Sequence, residues 1–198
     1  MKESARRAPE DRIDWRARSG YNFIVAITKI VSGGQTGADR GGLEAAMCCG
    51  LPHGGWCPKG RRAEDGRIPE KYQLQETDSA KPAARTKANV VDSDATLVFT
   101  FGPAESGSLF TIQCCTRSRK PWHHVNLANL SRDRAVREIL DWLHGAPLLN
   151  DYRGYKAIAP DPCVLNVAGS RESRCPGIGK AVMRIVVDVL AGQSQGET

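Results

Sequence analysis

Three glycine-bearing segments hold the groups in this sequence best suited to binding an anion. The first reads Ser32-Gly33-Gly34-Gln35-Thr36-Gly37-Ala38-Asp39-Arg40. Glycine permits positive φ and close backbone approach, and a helix starting directly after such a loop turns unpaired N–H groups toward it. Gly33, Gly34, Gln35, Thr36 and Gly37 therefore read as an anion cradle, although a tight turn would use the same glycines. The segment has neither the Gly-Lys-Ser/Thr of a Walker A loop nor a true G-x-G-x-x-G. Asp39, in the first turn of the helix, offsets the helix dipole, accepts a hydrogen bond from a sugar hydroxyl, or orients Arg40.

The second segment, Gly102 to Ser108, repeats the design, with Gly102 and Gly107 framing it and Ser108 as the expected helix cap. Ser108 and Thr111 lie three apart, so both hydroxyls share one side of a first helical turn. The third, Val167-Ala168-Gly169-Ser170-Arg171-Glu172, sets Arg171 where an anion would arrive. A guanidinium forks onto phosphate or another oxyanion; the alternative is an exposed Arg171 paired with Glu172. Two basic clusters, Lys59-Gly60-Arg61-Arg62 and Arg117-Ser118-Arg119-Lys120, are either solvated faces or further oxyanion contacts. Lys59, Gly60 and Arg61 are counted with the site on the second reading.

Other chemistry is weakly signalled. The seven cysteines form no C-x-x-C, and Cys48-Cys49 and Cys114-Cys115 sit in apolar stretches, so buried or free thiols of a reducing compartment are expected. His123 and His124 are adjacent, and adjacent strand residues point to opposite faces, so no metal site and no structural metal are expected.

These loops need a scaffold. The chain has 198 residues, 40% hydrophobic and 25% charged, which suits one domain. No apolar run approaches the ~20 residues of a bilayer crossing, and no cleavable signal is evident, so a soluble cytoplasmic protein without membrane contact is expected. Residues 1–28 are expected to form a flexible arm, 29–191 a single domain and 192–198 a disordered tail. Strands are expected to end at Val31 and to cover 54–57, 95–101, 122–126 and 163–168, with 58–69 as a loop. Helices are expected over 38–49, with Leu43, Ala46 and Met47 on one face, and over 83–91, 108–117 and 178–190. Ser131 caps another, with Val136, Ile139, Leu140 and Leu143 at helical spacing. Alternation of this kind argues for an α/β fold with a parallel sheet covered on both faces. The runs at 95–101 and 163–168 suit central strands. Ligands of such folds bind outside the strands' carboxyl ends, where all three glycine loops begin.

Four stretches resemble motifs of the circularly permuted YpsA family of the SLOG superfamily: Ser-Gly-Gly-Gln-Thr-Gly-Ala-Asp-Arg-Gly at 32–41, His-Gly-Gly-Trp-Cys-Pro-Lys-Gly-Arg-Arg-Ala-Glu-Asp-Gly at 53–66, Asn-Val-Val-Asp-Ser-Asp-Ala-Thr-Leu at 89–97 and Leu-Asn-Val-Ala-Gly-Ser-Arg-Glu-Ser at 165–173. The resemblance spans about residues 29–191. It implies a Rossmann-like three-layer sandwich with a mainly parallel sheet of five or more strands, in a permuted SLOG topology. The Gly-Ser-Arg strand, which comes before the Ser-Gly-Gly strand in unpermuted relatives, here comes last. It also implies a pocket for a nucleotide-like molecule or for the pterin or oxyanion part of molybdenum cofactor, since members are often labelled molybdenum carriers. Relatives that release a base from nucleoside monophosphates carry a helical glutamate where this chain has Thr111.

Two functions compete. One is a carrier or sensor that binds molybdenum cofactor, molybdate or a nucleotide-like anion. The other is a nucleotide hydrolase of the phosphoribohydrolase-like type, with Asp39, Glu172 or Glu105 as acid or base. Binding is the favoured reading. A nucleic-acid partner is disfavoured: the net charge is +6, the first 20 residues hold six basic and four acidic side chains, and the remainder carries only +4 without clustered aromatics. A small anionic ligand is the expected partner, and homo-oligomerisation stays open.

Overall fold

A computed structural model describes residues 25–144 and 161–193. The expected tail beyond 193 and the arm before 25 lie outside the described residues. The packed core starts slightly earlier than expected, for Val25 and Ile27 are both buried in it.

Among the described residues, nine strands and five helices follow in the order β1 (Ile27–Val31), α1 (Ala38–Cys48), β2 (His53–Gly54), β3 (Trp56–Cys57), β4 (Arg62–Ala63), β5 (Gly66–Arg67), β6 (Gln75–Glu76), α2 (Pro82–Val91), β7 (Ala95–Thr100), α3 (Ser106–Arg117), β8 (Trp122–Asn126), α4 (Arg132–Leu143), β9 (Cys163–Gly169) and α5 (Ile178–Gln193). The main sheet has the order β2-β1-β9-β7-β8 and every pairing in it is parallel. Its last strand in sequence, β9, therefore lies in the middle, aligning Leu165 with Ile30 on one side and Ala95 on the other.

The central strands are those with the most continuous apolar character. All six residues of β7 are buried, as a strand covered on both faces requires. Ala95, Leu97 and Phe99 join the core beneath α1, α4 and α5. Val90 of α2 with Cys114 and Cys115 of α3 forms a separate cluster. Helix α5 packs along α1 and α4, and α2 packs on α3, completing three layers. The fold is the expected α/β, Rossmann-like sandwich. Among the described residues no helix is long and apolar enough to cross a membrane.

Three local expectations fail for physical reasons. The single strand expected at 54–57 is broken by Gly55 at φ +116°, where a Cβ would lie 2.4 Å from the Ser32 carbonyl oxygen. As a result β2 joins the main sheet and β3 pairs with β6 instead. The loop expected at 58–69 contains the β4–β5 hairpin, and it is organised by Arg61, which is only 4% exposed. That guanidinium donates to the carbonyls of Ile68, Pro69, Tyr72 and Leu74 at 3.0–3.2 Å. Met47, expected on the apolar face of α1, is 37% exposed at the end of the helix.

Candidate functional site

Strands β1, β9 and β7 are neighbours, so the loops after their carboxyl ends meet. They surround a cavity of about 720 Å³. The first loop contributes Gly33 and Gln35, with Asp39 from the start of α1. The second contributes Glu105, Gly107, Ser108 and Thr111, and the third contributes Gly169, Ser170 and Arg171. Arg85 and Asn89 of α2, Phe101, Phe110, Arg174 and Cys175 complete much of the wall.

The glycines of the first loop admit the protein's own atoms. A Cβ on Gly33 would sit 1.6 Å from Nη1 of Arg85. At Gly34, φ is +73° and a Cβ would sit 2.4 Å from Cδ1 of Leu74. At Gly37, φ is +79° and a Cβ would lie 2.4 Å from the Ser170 carbonyl oxygen and 2.6 Å from the Glu172 nitrogen. Gln35 Oε1 accepts from the N–H groups of Thr36 and Glu64, both at 3.0 Å. Asp39 is 3% exposed and pairs with Arg85 at 2.5 Å. It does not orient Arg40, whose guanidinium forks onto Asp65 at 2.6 and 2.8 Å and donates to the Gly34 carbonyl at 3.1 Å. Gly34, Thr36, Gly37 and Arg40 thus stand behind the cavity wall and shape the loop.

In the second loop, Gly102 also lies off the cavity, and its N–H donates to Asn126 at 2.8 Å. Helix α3 starts at Ser106 with Glu105 as its cap, three residues before the expected cap Ser108. Ser108 is therefore inside the first turn, where its hydroxyl donates to the Glu105 carbonyl at 2.7 Å and accepts from the Glu105 N–H at 2.9 Å. Thr111 donates to the Gly107 carbonyl at 3.0 Å.

The third loop locks onto the other two. A Cβ on Gly169 would fall 2.0 Å from the Phe99 carbonyl oxygen, and the Ser170 carbonyl accepts from the Ala38 N–H at 3.1 Å. Glu172 does not pair with Arg171. Its carboxylate takes the N–H groups of Gly177 and Gly179 at the start of α5, where a negative charge complements the helix dipole. Arg171 is exposed, lines the cavity, and makes no hydrogen bond through its guanidinium among the described residues.

Neither basic cluster reaches the cavity. Lys59, Gly60 and Arg61 lie away from the cavity; the Lys59 N–H donates to the Ser79 carbonyl at 3.1 Å and the Gly60 N–H donates to Glu76. Arg61 is committed to four carbonyls, and the Lys120 ammonium is committed to those of Val91 and Ser93. All seven cysteines are free, and burial pushes Cys115 up to about 11 and Cys163 up to about 12, so these two are packing residues. His123 bonds Glu138 at 2.9 Å while His124 bonds Thr100 at 2.7 Å, so they do not converge on one point.

Arg85 and Asn89 escaped the sequence reading. They stand four apart on α2, so an i, i+4 polar stripe was the available signal. Asn89 bridges the Trp56 backbone at 2.8 and 2.9 Å, and Arg85 Nε is buried without a hydrogen-bond partner. Phe101, 41% exposed, and Arg174, whose Nη1 donates to Ser106 at 3.3 Å, carried no sequence signal for a site role.

The described strand latest in sequence, β9, is central in the sheet and carries one of the three converging glycine loops. Residues 30–190 match the sequence model of the circularly permutated YpsA SLOG family. The chain belongs to that family. It is also similar to a protein from Syntrophus aciditrophicus SB, solved by crystallography at 1.45 Å, whose name provisionally assigns it the role of molybdenum carrier. The two are 40% identical with a TM-score of 0.72, over 85% of this chain and 98% of that one. No curated protein matches. Within this cpYpsA domain, the match runs from β1 to α5 and includes all three loops of the cavity.

Proposed function

We propose that this cpYpsA protein is a binding protein, a carrier or sensor, that holds a small anionic ligand in the cavity: molybdenum cofactor, molybdate or a nucleotide-like anion. The observation that carries this reading is Arg171, a guanidinium without a hydrogen bond among the described residues, on the wall where three loops meet. Arg85 supports it with a buried donor still unused. Molybdate and phosphate are oxyanions, recognised by N–H donors rather than by carboxylates and thiols. Among the described residues no group of three or more His, Cys, Asp or Glu side chains is placed to hold a metal ion. The cavity, about 720 Å³, falls in the ~300–1,000 Å³ range of sites that enclose a whole organic ligand. With Phe101 half-exposed on its wall, that size favours a ligand pairing a flat ring with an anionic tail over a bare oxyanion.

The hydrolase reading has fewer free groups to work with. A general acid or base must reach the reacting bond. Of the three candidate carboxylates, Asp39 is held by Arg85 and Glu172 serves α5, which leaves Glu105, the N-cap of α3, on the cavity wall. A thermal-shift screen separates the readings, because a ligand at 100 times its dissociation constant adds about 2.7 kcal/mol of stability. Molybdate, tungstate, AMP, GMP, ADP-ribose and pterin phosphates form the panel. We expect at least one to raise the melting temperature without release of free base from AMP or GMP. No shift at millimolar concentration removes the binding reading, and base release lost in Arg171→Ala replaces it with catalysis.

A further inference from the structure

The β4–β5 hairpin pairs Arg62 with Arg67 and Ala63 with Gly66, which leaves Glu64 and Asp65 at its tip. That tip reaches two of the three cavity loops. The Glu64 N–H donates to Gln35 Oε1 at 3.0 Å. Its Oε1 accepts from the Thr36 hydroxyl and from the Ser173 N–H, the latter at 3.1 Å, and its Oε2 accepts from the Ser173 hydroxyl at 2.6 Å. The Glu172 N–H completes the link by donating to Thr36 Oγ1 at 3.4 Å. Beside it, Asp65 holds Arg40, whose Nε holds the Gly34 carbonyl. One carboxylate therefore joins residues 36 and 173, which sequence separates by nearly the whole domain, and the residues it joins flank Gln35 and Arg171 on the cavity wall.

We propose that Glu64 is a positioning residue for the ligand cavity: by strapping the first loop to the third it holds Arg171 at the working distance from Gln35 and Gly33. The inference rests on the ligand-binding reading of the cavity, and Glu64 itself lies outside the cavity wall. Every hydrogen bond its carboxylate makes is one it accepts, so the ionised form is the one that fits. Burial pushes the carboxyl up, but hydrogen bonds from Ser173 and Thr36 and the nearby Arg171 outweigh it and hold the group below its ordinary value. Arg171 is the charge facing it from the third loop, with the Arg40–Asp65 pair alongside.

The test uses the full chain and the variants Glu64→Gln, Glu64→Ala, Ser173→Ala and the double Glu64→Ala/Ser173→Ala. Backbone hydrogen exchange, read without ligand, is expected to rise in Glu64→Ala at residues 35–38 and 170–177 while β7 and β9 keep wild-type protection. Affinity for AMP and for molybdate, whichever the wild type binds, is expected to fall about tenfold in Glu64→Ala and less in Glu64→Gln. Ser173→Ala is expected to add little on top of Glu64→Ala, because both cut the same link. Wild-type affinity is expected to decline on acidification below the ordinary carboxylate range, and that of Glu64→Gln to stay flatter. Unchanged exchange in both loops, a uniform rise across the core strands, or full affinity in Glu64→Ala each overturns the proposal. If the wild type binds neither probe, affinity is read with whichever member of the screening panel binds; if none binds, the ligand reading fails on its own, and the exchange pattern still decides whether the strap exists.

Discussion

Gly33, Gly34 and Gly37 in the first loop are each pressed against another part of the chain, whereas Gly102 and Gly107 in the second have nothing within 4 Å of where a Cβ would stand. Both loops leave a strand of the same sheet and run into a helix. In the first, glycine makes room for Arg85, for Leu74 and for the backbone of the third loop, so the missing side chains are already filled by protein. In the second, Gly107 lies on the cavity wall and the space beside it is open. The lesson is that a glycine after a strand reports a close approach without saying what approaches. The first loop's glycines belong to the frame, and the open space lies beside Gly107 of the second.

The largest expected effect breaks the frame. Gly37→Ala places a Cβ against backbone atoms of Ser170 and Glu172, at a φ that L residues rarely adopt, and no rotamer change relieves it. Strain and overpacking together should cost about 3 kcal/mol. For a chain of this size that lowers the melting temperature by roughly 6–12 °C. Gly34→Ala shares the positive φ but should cost less, since its nearest obstacle is the end of the Leu74 side chain rather than backbone. A Gly37→Ala protein that melts like wild type would show that the first and third loops are not in contact.

A smaller and more selective effect is expected at Arg171. Arg171→Ala should weaken anionic-ligand binding by about 1.5–3 kcal/mol, the range for a charge-assisted hydrogen bond. Stability should stay within about 0.5 kcal/mol of wild type, because an exposed loop side chain contributes little to the core. Arg171→Lys keeps the charge and loses the planar fork, so it should recover only part of the affinity. Calorimetric titration beside a melting curve reads both quantities. Equal affinity in wild type and Arg171→Ala would take the third loop out of the ligand-binding room and leave it in the frame with the first.

The contrast also explains what the sequence could disclose. Strand β7 was legible because six consecutive buried residues leave a continuous apolar run, and α4 was legible from Val136, Ile139, Leu140 and Leu143 at helical spacing. The convergence of the loops was legible because each one begins at a strand's carboxyl end. The partners of the polar residues were not. Arg61 and Arg171 have the same formula, yet one is buried under four carbonyls and the other is exposed at the cavity. Charge composition carries no information about which arginine the chain has already used. Adjacency offers Glu172 as an alternative partner for Arg171, whereas its carboxylate accepts from the N–H groups five and seven residues later, at the start of α5. The segment 58–69 hid its hairpin for a related reason, since strands of two residues leave too short an alternation to detect.

The smallest expected effect sharpens the comparison most, because it predicts opposite signs for stability and for binding. Gly107 lies in the first turn of α3 without a positive φ, and among the described residues a Cβ there meets no atom within 4 Å beyond its own helical turn. Alanine should therefore stabilise the folded protein slightly, by up to about 1 kcal/mol, through helix propensity and a less flexible unfolded chain. The same Cβ projects into the open space beside a cavity-lining position, so it should reduce ligand affinity if a ligand's oxygen or ring approaches that backbone. In the first loop the two quantities should fall together, since Gly37→Ala damages the frame on which the cavity depends. In the second they should separate, with the melting temperature rising and the affinity falling. A Gly107→Ala variant that melts higher and binds as tightly as wild type would place ligand contact elsewhere on the cavity wall. Gly107 would then be a residue that only starts a helix.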